Sequence, residues 1–158
     1  MEKTVIELLK KHNLKISFAE SCTCGLLASK IGNVPGASSV FDESYITYAN
    51  EAKSKILSVK ETTLQNYGAV SKETAEEMVK GLYSVTKANI CISVTGIAGP
   101  DGGTPEKPVG LVYIAVLFNG EICVHEMNYS GERQFIRESV CDDALKFIIN
   151  TIKENYYD

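Results

Sequence analysis

Val5, Leu8, Leu9 and His12 recur at helical spacing in residues 3 to 12, which predicts an amphipathic first helix with its charges on the other face. The short apolar run KISFAE, residues 15 to 20, reads as a buried strand and leads into the turn ESCTCG. LLASKIGN then predicts a short helix with its first turn near Thr23 or Gly25. Gly32 and Asn33 end it, and Pro35-Gly36 follows as punctuation. ESYITYAN, residues 43 to 50, reads as a second strand. EAKSKILS and KETTLQNYG read as two short helical pieces.

Ser71 has the right chemistry and place to cap a longer helix, along which Ala75, Met78 and Leu82 repeat inward. The period changes at Asn89: in NICISVT, Ile90, Ile92 and Val94 alternate with Cys91, Ser93 and Thr95, as along a strand. GIAGPDGGTPEKPVG is too rich in Gly and Pro to be regular. LVYIAVLF and EICVHEMNY flank Asn119-Gly120, the pair that a two-residue type I′ hairpin turn requires, so these strands pair antiparallel. Ile136, Val140, Ala144, Phe147 and Ile148 mark a closing helix against the sheet. No repeat, linker or low-complexity segment interrupts the pattern, and strands mixed with helices make this an α/β chain.

Composition narrows the class. A chain of 158 residues, 44% hydrophobic and 23% charged, suits one folded domain over residues 1-158. The formal charge of -4 argues against a nucleic-acid partner, since that affinity comes from clustered Lys and Arg. No apolar run approaches bilayer length, so no membrane partner is expected and a cytoplasmic location is. Cys22, Cys24, Cys91, Cys123 and Cys141 are an odd set without a secretion signal and read as reduced thiols. Cys22-x-Cys24 lacks a second ligand pair, so no metal site is expected, and His12 and His125 fall on core-like patterns.

Three segments carry chemistry: ESCTCG (20 to 25), PGASSVFDESYITYANEAKSK (35 to 55) and TGIAGPDGGTPEKPVG (95 to 110). Each adjoins a predicted strand, and ligands of open α/β sheets collect at strand carboxyl ends, so the three are expected to share a pocket. With two histidines in the chain, a serine nucleophile needs another base, and Ser38, Tyr48 and Lys53 supply candidates. A lysine neutral near pH 7 must fall roughly 3 units from about 10.4, which takes around 4 kcal/mol of environment hostile to its charge. Against this, Tyr48 also reads as a half-buried strand residue and Lys53 as a solvated first-turn residue. Gly96, Gly99 and Gly102 offer amides that approach an anion closely, or merely shape a wide turn. Ser21 and Thr23 stand at a helix start that favours negative charge, or simply cap it.

ESCTCG, GASSVFDESYITYANEAK, the GAVS of 68 to 71, SVTGIAGPDGG and EKPVG together resemble the carboxy-terminal domain of the CinA competence/damage-inducible family, which includes stand-alone nicotinamide-nucleotide amidases. The resemblance covers nearly the whole chain. It implies a three-layer α/β/α domain with a mixed sheet, and hydrolysis of the carboxamide of nicotinamide mononucleotide to nicotinate mononucleotide and ammonia. Neither a metal nor an organic cofactor is implied, and the partners implied are the nucleotide and a second copy of the chain.

By register from the family pattern, Ser38 is the implied nucleophile, with Tyr48 and Lys53 in support. Ser21, Thr23, Thr95, Gly96, Gly99 and Gly102 are implied to bind substrate, with phosphate at the ESCTCG helix start and at Arg133 or Arg137. Two departures stand out. Gly36-Ala37-Ser38-Ser39 replaces the family's Gly-Ser-Ser, which makes Ser39 a rival to Ser38, and Cys24 replaces a glycine. The alternatives are a non-catalytic nucleotide-binding or regulatory domain, and a thiol-dependent enzyme using Cys22.

Overall fold

The computed structural model describes residues 1 to 157. In chain order it contains α1 (Glu2–Lys11), β1 (Ile16–Glu20), α2 (Leu26–Gly32), β2 (Tyr45–Ile46), α3 (Asn50–Leu57), α4 (Glu61–Tyr67), α5 (Lys72–Thr86), β3 (Ile90–Gly96), β4 (Leu111–Phe118), β5 (Glu121–Asn128) and α6 (Arg133–Tyr156). The sheet has five strands in the order β2-β1-β3-β4-β5. β2, β1 and β3 run parallel, while β4 and β5 pair antiparallel, so the sheet is mixed.

Alternation along the strands divides the core in two. Ile16, Phe18, Ile90, Ile92, Val112 and Ile114 pack with α1, α2 and α6 on one face. Ala19, Cys91 and Ala115 meet α5 and the end of α3 on the other. The second face is built of small residues, so α5 lies close to the sheet, and Ser93 donates its hydroxyl to the Ala75 carbonyl at 2.7 Å. α3 and α5 also approach closely: a Cβ at Gly81 would stand 1.8 Å from the Leu57 carbonyl oxygen.

Local signals explain several element ends. Ser71 accepts the Thr74 amide and starts α5. Asn119 and Gly120, at φ 52 and 77, turn β4 into β5 as the I′ pattern requires. The predicted strand over 43 to 50 shrinks to Tyr45–Ile46, because the chain then swings away from β1 into α3 and gives the Thr47 and Tyr48 carbonyls to Lys53 instead. Parallel β1 has β2 on one side and β3 on the other, so the direction of connection reverses between β1 and β3. The carboxyl ends of those two strands form the crevice where such sheets place ligands.

Candidate active site

Ser21 leaves the end of β1 beside Thr95 and Gly96 at the end of β3, and its amide is tied to the Val94 carbonyl at 3.0 Å. A cavity of about 230 Å³ opens here, lined by Ser21, Cys22, Tyr48, Lys53, Thr95, Gly96, Gly99, Asp101 and Arg133 among others. A larger hollow of about 520 Å³ between α3 and α4 is lined by exposed side chains such as Glu51 and Lys55. It holds no buried titratable group.

Lys53 decides the chemistry. It rises from the first turns of α3 and is only 1% exposed, one of the largest fully buried side chains in the protein. Its Nζ lies 2.9 Å from Ser21 Oγ, 2.8 Å from the Thr47 carbonyl and 2.9 Å from the Tyr48 carbonyl. Burial pulls its pKa down from 10.5 to about 8. A neutral amine has two N–H donors and one lone pair; two carbonyls take the donors, which leaves the lone pair facing Ser21 Oγ. Ser21 Oγ and Lys53 Nζ thus stand within hydrogen-bond reach, the geometry that serine–lysine acyl transfer requires of its two groups.

Ser38 is not part of this arrangement. It sits exposed in the short 3-10 turn Ala37–Ser39, and Val40, just after it, accepts the Ile16 amide at the start of β1. Ser21 follows the other end of that five-residue strand, which at about 3.3 Å per residue puts roughly 16 Å between the two ends. The expected pairing of Ser38 with Lys53 is thus corrected to Ser21 with Lys53. Ser39 shares the distant turn and donates to the Gly36 carbonyl.

Tyr48 also departs from expectation. Its carbonyl, not its phenol, meets Lys53; the hydroxyl instead accepts Arg133 Nη2 at 3.1 Å, and the ring is 53% exposed at the mouth of the cavity. Arg133 Nη1 donates to the Gly99 carbonyl at 2.7 Å, so one guanidinium ties Tyr48 to the glycine loop. Thr95 donates to the Ala69 carbonyl at 2.7 Å and holds the 68 to 71 turn against the site. Gly96 has a packing reason of its own, since a Cβ there would stand 2.5 Å from Val112 Cγ2. Gly102 does not line the cavity.

The expected phosphate site at the start of α2 is already filled. Glu20, fully buried, accepts the Leu27 amide at 2.8 Å and the Ala28 amide at 3.1 Å, so an internal carboxylate occupies the place of an external anion. Arg137 is engaged as well, with Nε on the Cys22 carbonyl and Nη2 on the Thr23 carbonyl. Thr23 is wholly buried and its Oγ1 has no partner. Of the two arginines, Arg133 is the one that lines the cavity. Burial lifts the Cys22 thiol to about 11, which leaves it protonated and a poor nucleophile at neutral pH. Among the described residues, no group of three or more His, Cys, Asp or Glu could hold a metal ion, and no helix is long and apolar enough to cross a membrane.

An α/β domain with a buried Ser–Lys pair at its switch point defines the class. The chain belongs to the CinA C-terminal domain family, whose sequence pattern matches residues 1–152. It is 53% identical over 153 residues to a competence-damage inducible protein of Clostridium botulinum strain Langeland, covering 97% of this chain and 37% of that protein. A protein of the same description from Caldicellulosiruptor saccharolyticus is 51% identical over 152 residues, covering 96% and 37%. The chain thus spans a little over a third of the length of these relatives. The crystal structure of competence/damage inducible protein CihA from Agrobacterium tumefaciens superposes with a TM-score of 0.91 at 42% identity, covering 94% of this chain and 93% of that one. A CinA superfamily structure from Klebsiella pneumoniae gives 0.94 at 29%, covering 97% and 96%.

Proposed function

We propose that this domain is a serine amidohydrolase that removes ammonia from the carboxamide of nicotinamide mononucleotide, with Ser21 as nucleophile and Lys53 as base. The observation that carries the reading is the 2.9 Å contact between Lys53 Nζ and Ser21 Oγ in a buried site that lowers the amine's pKa. Ser21 Oγ attacks the carboxamide carbon as its proton passes to Lys53. Lys53 returns that proton to the departing nitrogen, and water then hydrolyses the acyl-enzyme along the reverse route.

The substrate class rests on the motif resemblance and on the size of the site. A cavity of about 230 Å³ suits an aromatic carboxamide, while the ribose phosphate extends past Tyr48 towards Arg133. Arg133 has only neutral acceptors, the Gly99 carbonyl and the Tyr48 hydroxyl, so its charge is available to a phosphate. Five free thiols and a nucleotide substrate agree with a cytoplasmic enzyme.

The test is to incubate purified protein with nicotinamide mononucleotide and measure ammonia and nicotinate mononucleotide together. Equal release of both is expected. Saturable binding of the nucleotide without release of either would favour a regulatory nucleotide-binding domain.

A further inference from the structure

The nucleotide proposed above carries two opposite charges, a quaternary nitrogen in its ring and a phosphate, and Arg133 answers only the second. Resting on that reading, we infer that Asp101 is the specificity residue for the first: its carboxylate selects a cationic pyridinium carboxamide over a neutral one.

Asp101 is the one carboxylate among the described residues that line the cavity, where it shares the walls with Lys53 and Arg133. It has no hydrogen bond and no ion pair among the described residues. Arg133 gives its guanidinium to the Gly99 carbonyl and the Tyr48 hydroxyl instead, although Asp101 lines the same cavity. The two opposite charges are thus held apart and unneutralised. A sphere of about 230 Å³ is roughly 8 Å across, about one Debye length at physiological salt, so a charge on a ligand inside it is felt by both residues. One free pole of each sign is the electrostatic complement of a zwitterion.

The loop that carries Asp101 is anchored on both sides. Arg133 Nη1 fixes the Gly99 carbonyl before it, the Thr104 amide donates to the Lys107 carbonyl at 2.8 Å after it, and the Gly110 amide closes the base of the loop on the Ile97 carbonyl at 2.8 Å. Only the short side chain of Asp101 has to order when a ligand arrives, which keeps the cost of binding low. In a pyridinium carboxamide the ring nitrogen lies a few bonds from the carboxamide carbon, so a carboxamide at Ser21 keeps its cation within the same cavity. The cation also withdraws electrons from that carbon. A site that selects the charged ring therefore selects the more reactive amide.

Binding of 1-methylnicotinamide and of nicotinamide tests this without the nucleotide, because the two differ only in a methyl group and its fixed charge. Both are titrated by ligand-observed NMR against Ser21→Ala protein, in which nothing turns over. The methylated cation is expected to bind about tenfold more tightly, between the effect of an exposed ion pair and that of a half-buried one. In Ser21→Ala/Asp101→Asn the two should bind alike, in Ser21→Ala/Asp101→Glu the preference should partly return, and raising the salt should shrink it. In the active enzyme, Asp101→Asn is expected to raise KM for nicotinamide mononucleotide and for its ribonucleoside by the same factor of about ten, since both carry the cation. Equal binding of the two probes to Ser21→Ala protein, a preference that survives Asp101→Asn, or an Asp101→Asn effect on the nucleotide without one on 1-methylnicotinamide, which would place Asp101 on the ribose hydroxyls, would overturn the inference. A preference for the cation that Asp101→Asn abolishes, beside a wild type that releases no ammonia from the nucleotide, would support the cation site and contradict the proposed reaction alone.

Discussion

Lys53→Met should both silence the enzyme and change how its stability depends on pH. Burial holds the Lys53 pKa at about 8 instead of 10.5, so about 3 kcal/mol of the folded protein's free energy goes into keeping this amine less protonated than it is in the unfolded chain. Between those two values the unfolded chain binds more protons than the folded one. Stability from this group therefore rises with pH from about 8 to about 10.5 and is level below 8. Urea unfolding of wild type and Lys53→Met at several pH values isolates the effect, since the raised phenols titrate alike in both and Cys22, the thiol that Lys53 touches electrostatically, titrates at about 11, above this window. The difference between the two proteins should move in favour of wild type by about 3 kcal/mol across that window. The same titration sets the rate: about a tenth of Lys53 is free amine at pH 7 and about nine-tenths at pH 9, so ammonia release should rise roughly tenfold between them. Lys53→Met and Lys53→Arg should each lower the rate by about 10²–10⁴-fold, because neither side chain accepts a proton in this range. A flat rate from pH 7 to 9, or an active Lys53→Arg enzyme, would refute the lysine base.

Arg133→Ala should raise KM for the mononucleotide by about 10–100-fold while leaving the ribonucleoside nearly unaffected, the cost of one charge-assisted contact to phosphate; steady-state kinetics on both substrates check it. Cys24 is exposed and holds φ 49, a left-handed conformation that costs a side chain about 1–2 kcal/mol, so Cys24→Gly should raise stability by about 1 kcal/mol in chemical denaturation.

The elements were largely legible because local rules govern them: Ser71 as a cap, Asn119-Gly120 as a hairpin turn, and Ile-Val alternation in β3. The choice of serine was not. Ser21 and Lys53 are separated by 32 residues and meet only because β1 ends where α3 begins, at the same edge of the sheet. One signal did point there. ESCTCG follows a strand, whereas the Gly36–Ser39 turn precedes one, and strand carboxyl ends are where such sheets keep their ligands. The role of Glu20 was hidden for another reason: a buried carboxylate capping two α2 amides from inside looks, in sequence, like any acidic residue before a turn. The two contacts of Tyr48 were equally hidden: its backbone carbonyl accepts from Lys53, while its phenol meets Arg133, 85 residues away in sequence.

The identity of the nucleophile is tested most directly by ammonia release from nicotinamide mononucleotide with Ser21→Ala and Ser38→Ala side by side, each confirmed folded by circular dichroism. With Ser21 2.9 Å from Lys53 Nζ and Ser38 at the far end of β1, Ser21→Ala should lose about 10³-fold or more and Ser38→Ala should keep the wild-type rate. An inactive Ser38→Ala enzyme beside an active Ser21→Ala enzyme would contradict the account.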